Sequence, residues 1–447
     1  MRRTVVLAGV LVALACLRVC FAGVLWSDED YHMAAAIHIL HGKLPYRNFW
    51  YDKPPLAALY YLAIGGFPGL VLRLWDAAYI LLCCWLAGKA ARSWWGAMLM
   101  GFFTTFYLPA AVIPLAPDAL LIAPHLAAIY FARKGQAVWA GVVCGIGFWV
   151  NVKALFVAAA CALWVVPSLL TFAAVVALGA AALGAMGMAA GYWEQVWAWG
   201  LAYAAGAPAA HPIALAVERV GHWLGFHAAL VASWTAGAWR GERLRFSGWL
   251  ALSFAAVCFG NHFAPRYFLQ LLPPLTVVGA QGIVWALEER RRVTIVALAL
   301  LLLVPFVRFA PRYGRMMAGD RQWTDIALDL DSQQAAARIN ALAQSGDTLF
   351  VWGYRPDIYV YTRLNLASEF WDSQPLTGVA ADRHLGAEGP VVNDKTIAHL
   401  QAVERSRPTF FVDGLGLLNG KLRPGELLSN YREVARTKLS VIYRRRE

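Results

Sequence analysis

The chain has 447 residues, of which 60% are hydrophobic and only 15% charged, a balance that excludes a soluble enzyme. Its net charge of +12 does not point to nucleic acid, because the basic residues fall in short clusters between apolar runs, as the positive-inside bias of membrane proteins predicts. Apolar runs of about 17 to 25 residues, the length a helix needs to cross a bilayer core, recur before position 310 and predict a polytopic α-helical membrane protein. The 20 Trp and 17 Tyr suit its interfacial belts. Cys16, Cys20, Cys83, Cys84, Cys144, Cys161 and Cys258 all lie in apolar segments, and their spacing matches neither a metal site nor a disulfide framework.

Arg2 and Arg3 precede an apolar stretch that resembles a secretory signal peptide, yet the stretch continues to Trp26 and is long enough to span. It is read as a retained first helix with a cytoplasmic N-terminus. A first outer loop, 26–56, follows. It opens on three carboxylates, Asp28, Glu29 and Asp30, continues as an amphipathic run from Tyr31 to His41, and ends in Asp52, Lys53, Pro54 and Pro55. Ser27 and Asp28 suit helix capping, with acids favoured in a first turn by the helix dipole. Capping does not account for a lysine at the other end of the same segment.

The second span, about Leu70 to Gly88, ends at Lys89 and Arg92, and the third runs from Gly96 to Ile113. The loop Pro114 to Asp118 leads to a fourth span that returns to Arg133 and Lys134. A fifth reaches Asn151 and Lys153 outside. The block Ala154 to Ala190 is long enough for two more spans, divided near Pro167. Gly191 to Glu218, rich in Trp and Tyr, suits the interface. The next span, Arg219 to Trp239, ends in Arg240, Arg243 and Arg245. Another rises to an outer turn, Asn261 to Tyr267, one descends to Glu288, Glu289, Arg290, Arg291 and Arg292, and the last climbs from Val293 to Phe309. About eleven crossings thus place the basic clusters inside and the C-terminus outside. From Ala310 the composition turns polar, with short apolar runs at Thr348–Trp352, Ile358–Tyr361, Thr409–Val412 and Lys438–Tyr443. These predict a small C-terminal α/β outer domain, 310–447, beside a transmembrane domain, 1–309.

This topology gathers Asp28, Glu29, Asp30, Asp52, Lys53, Asp118, Lys153, His262, Arg266 and Tyr267 on the outer side, where ionisable groups at a cavity mouth are functional candidates. Asp118 also suits a cap for the fourth span, Arg266 and Tyr267 suit interfacial anchors, and Lys153 suits snorkelling. His262 and His125 read as packed or interfacial rather than as ligands.

Three stretches carry a family resemblance. Asp28-Glu29 after the first span, then His41-Gly42-Lys43-x-Pro45-Tyr46 and Lys53-Pro54-Pro55-Leu56, resemble the first outer loop of the GT-C membrane glycosyltransferases. The nearest likeness is to the bacterial branch related to protein O-mannosyltransferases and the aminoarabinose transferase that modifies lipid A. Asp118 falls where that family has its second acidic residue, Arg266 to Pro274 is similar to its later outer turn, and Val351-Trp352-Gly353-Tyr354 resembles its outer domain.

The resemblance implies inverting transfer of a sugar from a polyprenyl-phosphate donor to an envelope acceptor, at the outer face of a bacterial inner membrane. Lipid phosphate is a good leaving group, so one carboxylate must take the acceptor proton while cations hold the phosphate. Asp28, Glu29 and Asp118 are the candidate catalytic acids, with Asp28 the expected base. Lys53, Arg266, Tyr267 and Lys153 are the candidate phosphate ligands. Asp118 either orients the acceptor or shares a divalent metal, Mg or Mn, with Asp28; no His or Cys ligand spacing accompanies it. A transporter or flippase of lipid-linked sugars is the competing reading. It would show two related halves with interrupted spans and charges near the midplane, and the sequence has neither.

Overall fold

The computed structural model describes residues 2–107, 114–205, 212–239, 242–379, 387 and 389–446. Positions 108–113, the end of the predicted third span, and Arg240 lie outside them. The N-terminal apolar stretch is helical: α1 (Arg2–Cys16) runs into a 3-10 turn, Leu17–Phe21. The predicted outer loop holds α2 (Glu29–Leu40) and leads into α3 (Leu56–Leu62). There follow α4 (Leu70–Ala91), α5 (Trp94–Phe103), α6 (Pro117–Leu120), α7 (Ile122–Arg133), α8 (Ala137–Val150), α9 (Ala154–Ala162) and α10 (Ser168–Ala185). Local chemistry sets several of these ends. The Ser93 hydroxyl caps α5 by accepting from the Trp95 amide, Pro117 opens α6, and Pro167 stands immediately before α10, at the predicted division of the alanine-rich block.

The predicted interfacial segment is α11 (Ala189–Tyr192), a π-helical turn (Trp193–Ala198) and α12 (Trp199–Ala205). The expected single span Arg219–Trp239 is instead two helices, α13 (Pro212–Phe226) and α14 (Ala228–Ala238), parted where the His227 backbone leaves helical geometry at φ −113° and ψ 19°. The His227 ring lies 2.8 Å from the Trp223 carbonyl and stacks on Trp223, which holds the break in place. Next come α15 (Arg243–Cys258), a 3-10 turn (Pro265–Leu271), α16 (Leu272–Glu288) and α17 (Arg292–Met317). The last of these passes Phe309, its expected end, and tolerates Pro305 and Pro311 within it. Four described helices are long and apolar enough to cross a membrane: Leu70–Ala91, Ser168–Ala185, Pro265–Glu288 and Arg292–Met317. Shorter apolar helices stand beside them.

After α17 the chain forms α18 (Thr324–Asn340), α19 (Asp357–Thr362), α20 (Gln374–Thr377) and α21 (Asp394–Ser406) around one sheet. Its strands are β1 (Thr348–Trp352), β2 (Asn365–Leu366), β3 (Phe410–Asp413), β4 (Tyr431–Arg436) and β5 (Val441–Arg445), in the order β2-β1-β3-β5-β4. β1 is parallel to β2 and β3, while β5 is antiparallel to β3 and β4. The apolar run Ile358–Tyr361 is helical, within α19.

The sheet region and the helical region share one continuous buried core, joined through the first outer loop. Tyr31 of α2 stacks on Trp371 at 4.7 Å between ring centres and also on Tyr51 and Tyr354. The Trp50 amide donates to the Glu369 carbonyl, and the Trp371 indole donates to the Trp50 carbonyl at 2.6 Å. A third body holds the loop from the other side. A Cβ at Gly191 would overlap the Tyr46 carbonyl, so only glycine lets α11 approach this closely. The π-helical turn then presents Gln195, which accepts from the Tyr51 amide at 2.8 Å and donates to the Tyr46 carbonyl at 3.3 Å.

Candidate active site

Asp28 occupies the cap position of α2, but its side chain makes no capping hydrogen bond. Its backbone takes φ 80°, a region that costs a non-glycine residue, and its carboxylate meets the Arg266 guanidinium in an ion pair. Arg266 stands at the start of the Pro265–Leu271 turn, so α2 and this turn, distant in sequence, are tied through one salt bridge.

Asp118 lies in the first turn of α6 and is buried among polar partners. Lys153 Nζ is 2.7 Å from its Oδ1, Asn151 Nδ2 donates to the same oxygen at 3.3 Å, and Gln270 Nε2 donates to the Asp118 carbonyl at 3.0 Å. Lys153 also sits 3.5 Å above the centre of the Tyr267 ring, a cation–π contact. Burial lowers the Lys153 pKa against the pull of Asp118, and the nearby positive charges of Arg266 and Lys53 lower it further. Lys53, the most exposed of these cations, pairs with Asp52 at 2.6 Å, and the Tyr46 hydroxyl holds its carbonyl at 2.6 Å.

The structure thus brings Asp28, Asp118, Lys53, Lys153, Arg266 and Tyr267 to one locus. Glu29 is turned away from it. Both Glu29 oxygens accept from Arg73, at 2.6 and 3.0 Å, and Oε1 also accepts from the Trp26 amide at 2.7 Å. Arg73 uses its remaining donors on Asp76 (3.0 Å) and on the Phe21 and Val24 carbonyls (3.2 and 2.6 Å), so all five of its N–H groups are occupied. Asp30 is buried and accepts from the Tyr31 amide at 2.7 Å; it borders a small cavity with Asp329, Asp357 and Arg355. His262 contacts the Tyr203 carbonyl at 2.9 Å and stacks on the Tyr203 ring, and His125 accepts from the Trp249 indole at 2.8 Å.

Several residues of this locus escape sequence reasoning. His32, beneath the site, meets the Tyr51 hydroxyl at 2.6 Å through Nδ1. Burial first, with Lys53 and Arg266 adding to it, holds its pKa down at about 3, so it is neutral at any physiological pH. Gln270, Asn151 and Gln195 are neutral amides and carry no sequence signal of their own. Arg73 and Asp76 do carry one, as charges within an apolar span. A divalent ion shared by Asp28 and Asp118 fits these residues poorly. Each carboxylate already faces a cation, and no group of three or more His, Cys, Asp or Glu among the described residues is arranged to hold a metal ion.

No protein-family model matches the chain, and no curated protein does. Solved structures do. The crystal structure of ArnT from Cupriavidus metallidurans bound to undecaprenyl phosphate aligns at 15% identity and a TM-score of 0.57, over 98% of this chain and 97% of that one. The apo structure of the same protein aligns at 12% identity and a TM-score of 0.56, over the same shares, 98% and 97%. With nearly the whole of both chains superposed, the chain has the fold of ArnT, the aminoarabinose transferase, and so is a polytopic membrane protein of the GT-C fold.

Proposed function

We propose that this protein transfers a sugar, with inversion, from a polyprenyl-phosphate donor to an acceptor of the cell envelope, at the periplasmic face of a bacterial inner membrane. The observation that carries the reading is the meeting of Lys53, Lys153 and Arg266 with Asp28 and Asp118 where the first outer loop, α6 and the Pro265–Leu271 turn converge. The fold likeness to a protein crystallised with undecaprenyl phosphate supports the donor class. In this reading Lys53, Arg266 and Lys153 hold the donor phosphate, with Tyr267 shaping the Lys153 side of the cradle. The acceptor hydroxyl oxygen attacks the anomeric carbon, the bond from that carbon to the phosphate oxygen breaks with its electron pair going to the phosphate, and the hydroxyl proton passes to Asp28. Asp118 is a positioning residue that fixes Lys153. Glu29 has no part in the chemistry, since Arg73 occupies both its oxygens.

The test is sugar transfer from purified polyprenyl-phosphate donors. Asp28→Asn keeps size and hydrogen-bonding capacity but cannot take a proton, and should lower the rate by a factor of about a hundred to ten thousand. Lys53→Ala and Arg266→Ala should raise the donor KM. Transfer by Asp28→Asn at the parent rate removes it as the base. A parent that moves such lipids between leaflets without transferring sugar overturns the enzyme reading in favour of a flippase.

A further inference from the structure

The arginines at the end of α17 run against the charge pattern of the rest of the chain. The other basic clusters, Lys89 with Arg92, Arg133 with Lys134, Arg243 with Arg245, and Arg290 to Arg292, lie at the ends of spans predicted to be remote from the sheet. Arg308, Arg312 and Arg315 lie at the opposite end of their helix, where the chain turns through Gly319 into α18 and the sheet region. Positions 308, 312 and 315 fall on one helix face, and about 10 Å of axis separates the first from the last.

Three further observations define this face. Arg308 and Arg315 are exposed, and neither pairs with a carboxylate among the described residues, unlike Arg245, Arg266, Arg291, Arg355 and Arg436. Two of the three guanidinium groups lie against aromatic rings: Arg308 and Arg312 are 5.6 and 5.3 Å from the centre of buried Phe309, and Arg312 is 5.4 Å from that of Trp323. In the preceding turns Val304 lies on the same face and Leu300 and Val307 flank it, all three apolar and exposed, a surface that acyl chains cover in a membrane-spanning helix. The uncharged run from Val293 to Val307 rises about 22 Å of a hydrocarbon core about 30 Å thick, so Arg308 reaches the headgroups by extending its side chain, while Arg312 and Arg315, about 6 and 10 Å further along the axis, stand at headgroup depth.

We infer that this face of α17 is a binding site for an anionic phospholipid of the leaflet next to the sheet region, with the lipid phosphate on Arg308, Arg312 and Arg315 and an acyl chain along Leu300, Val304 and Val307. The site is separate from the candidate active site, and none of its arginines has a part in the proposed transfer.

The test uses the full-length protein in bilayer nanodiscs with phosphatidylglycerol or phosphatidylcholine carrying a photoactivatable acyl chain, and maps the crosslinks by mass spectrometry. Phosphatidylglycerol should label the stretch from Leu300 to Val307 up to about a hundred-fold more than phosphatidylcholine does, since each of the three arginines contributes roughly five-fold in local lipid occupancy. Arg308→Gln with Arg315→Gln should cut the preference to the roughly five-fold that Arg312 alone supplies, Arg308→Lys with Arg315→Lys should retain it, and sugar transfer in detergent should stay at the parent rate in both. Equal labelling by the two lipids in the parent, or undiminished preference in the glutamine variant, overturns the site. Displacement of the crosslink by millimolar glycerol phosphate would also overturn it, since a lipid site draws on the chain as well as the headgroup.

Discussion

Asp28 and Glu29 are neighbours in the chain and meet different arginines. Asp28 sits at φ 80°, a strain of order 1–3 kcal/mol for a residue with a side chain, and faces Arg266 at a partly open mouth. Glu29 is fully buried and shares Arg73 with Asp76, in an ion pair with no exposure on either side. Removing one partner of such a pair leaves the other charge stranded and typically costs about 3–5 kcal/mol. Glu29→Gln should therefore lower the thermal unfolding temperature of the detergent-solubilised protein by several degrees while the folded fraction keeps its transfer rate, the reverse of Asp28→Asn. A Glu29→Gln protein with parent stability and no activity would put Glu29 in the chemistry. At this scale, ionisable residues were legible because each stands out in an apolar chain. What the sequence hid was direction, since nothing in Asp28-Glu29-Asp30 tells which carboxylate joins Arg266 at the candidate site. Gln270 and Gln195, which hold Asp118 and the loop backbone, were hidden because an amide raises no alarm at an interface.

At the scale of elements, the first outer loop is held from two sides, by α11 with its π-helical turn and by the segment Glu369–Trp371. Helix existence was legible from apolar run length, and the division at Pro167 from proline chemistry. The break at His227 was not, because no proline marks it and nothing in the sequence tells that this ring meets the Trp223 carbonyl. The role of Gly191 was equally hidden, as one of 38 glycines. Gly191→Ala would push the Tyr46 carbonyl and, through the Tyr46 hydroxyl, the Lys53 backbone. Overpacking of this kind costs about 1–3 kcal/mol. The expected outcome is a donor KM raised roughly ten-fold with kcat little changed, where ten-fold corresponds to the lower half of that range. A fall in kcat at unchanged KM would show that the loop does not position the phosphate cradle.

For the whole molecule, the sheet region meets the first outer loop at Asp372. It is fully buried, accepts from the Gln374 amide at 2.7 Å, and lies beside Asp52 and Lys53 of the first loop. Burial raises its pKa to about 7, and Asp52 adds to the rise. Between about pH 4 and 7 the unfolded chain has lost this proton and the folded protein keeps it, so the group's contribution to stability falls as pH rises, and levels off above pH 7. Asp372→Asn, neutral throughout, should be more stable than the parent by a margin that grows from pH 4 to 7, to roughly 4 kcal/mol at most. A margin that is constant with pH in thermal melts would mean that the carboxyl ionises freely in the folded state. The sequence foretold a polar C-terminal α/β region, but the continuity of its core with that of the helices rests on rings such as Tyr31 and Trp371, whose pairing no periodicity records.

Each cation of the candidate site has a carboxylate of its own: Lys53 with Asp52, Lys153 with Asp118, Arg266 with Asp28. At rest the charges of the site are therefore close to balance. A sugar phosphodiester brings one negative charge, and the departing phosphate leaves with about two. If Asp28 takes the acceptor proton, the carboxylate that partners Arg266 is neutralised as the phosphate gains its extra charge. The net charge of the site is then the same before and after the reaction, and Arg266 exchanges one anionic partner for another. Turnover in such a site needs no counterion drawn in from the bulk, and the chemical step should be almost indifferent to ionic strength even where donor capture is not.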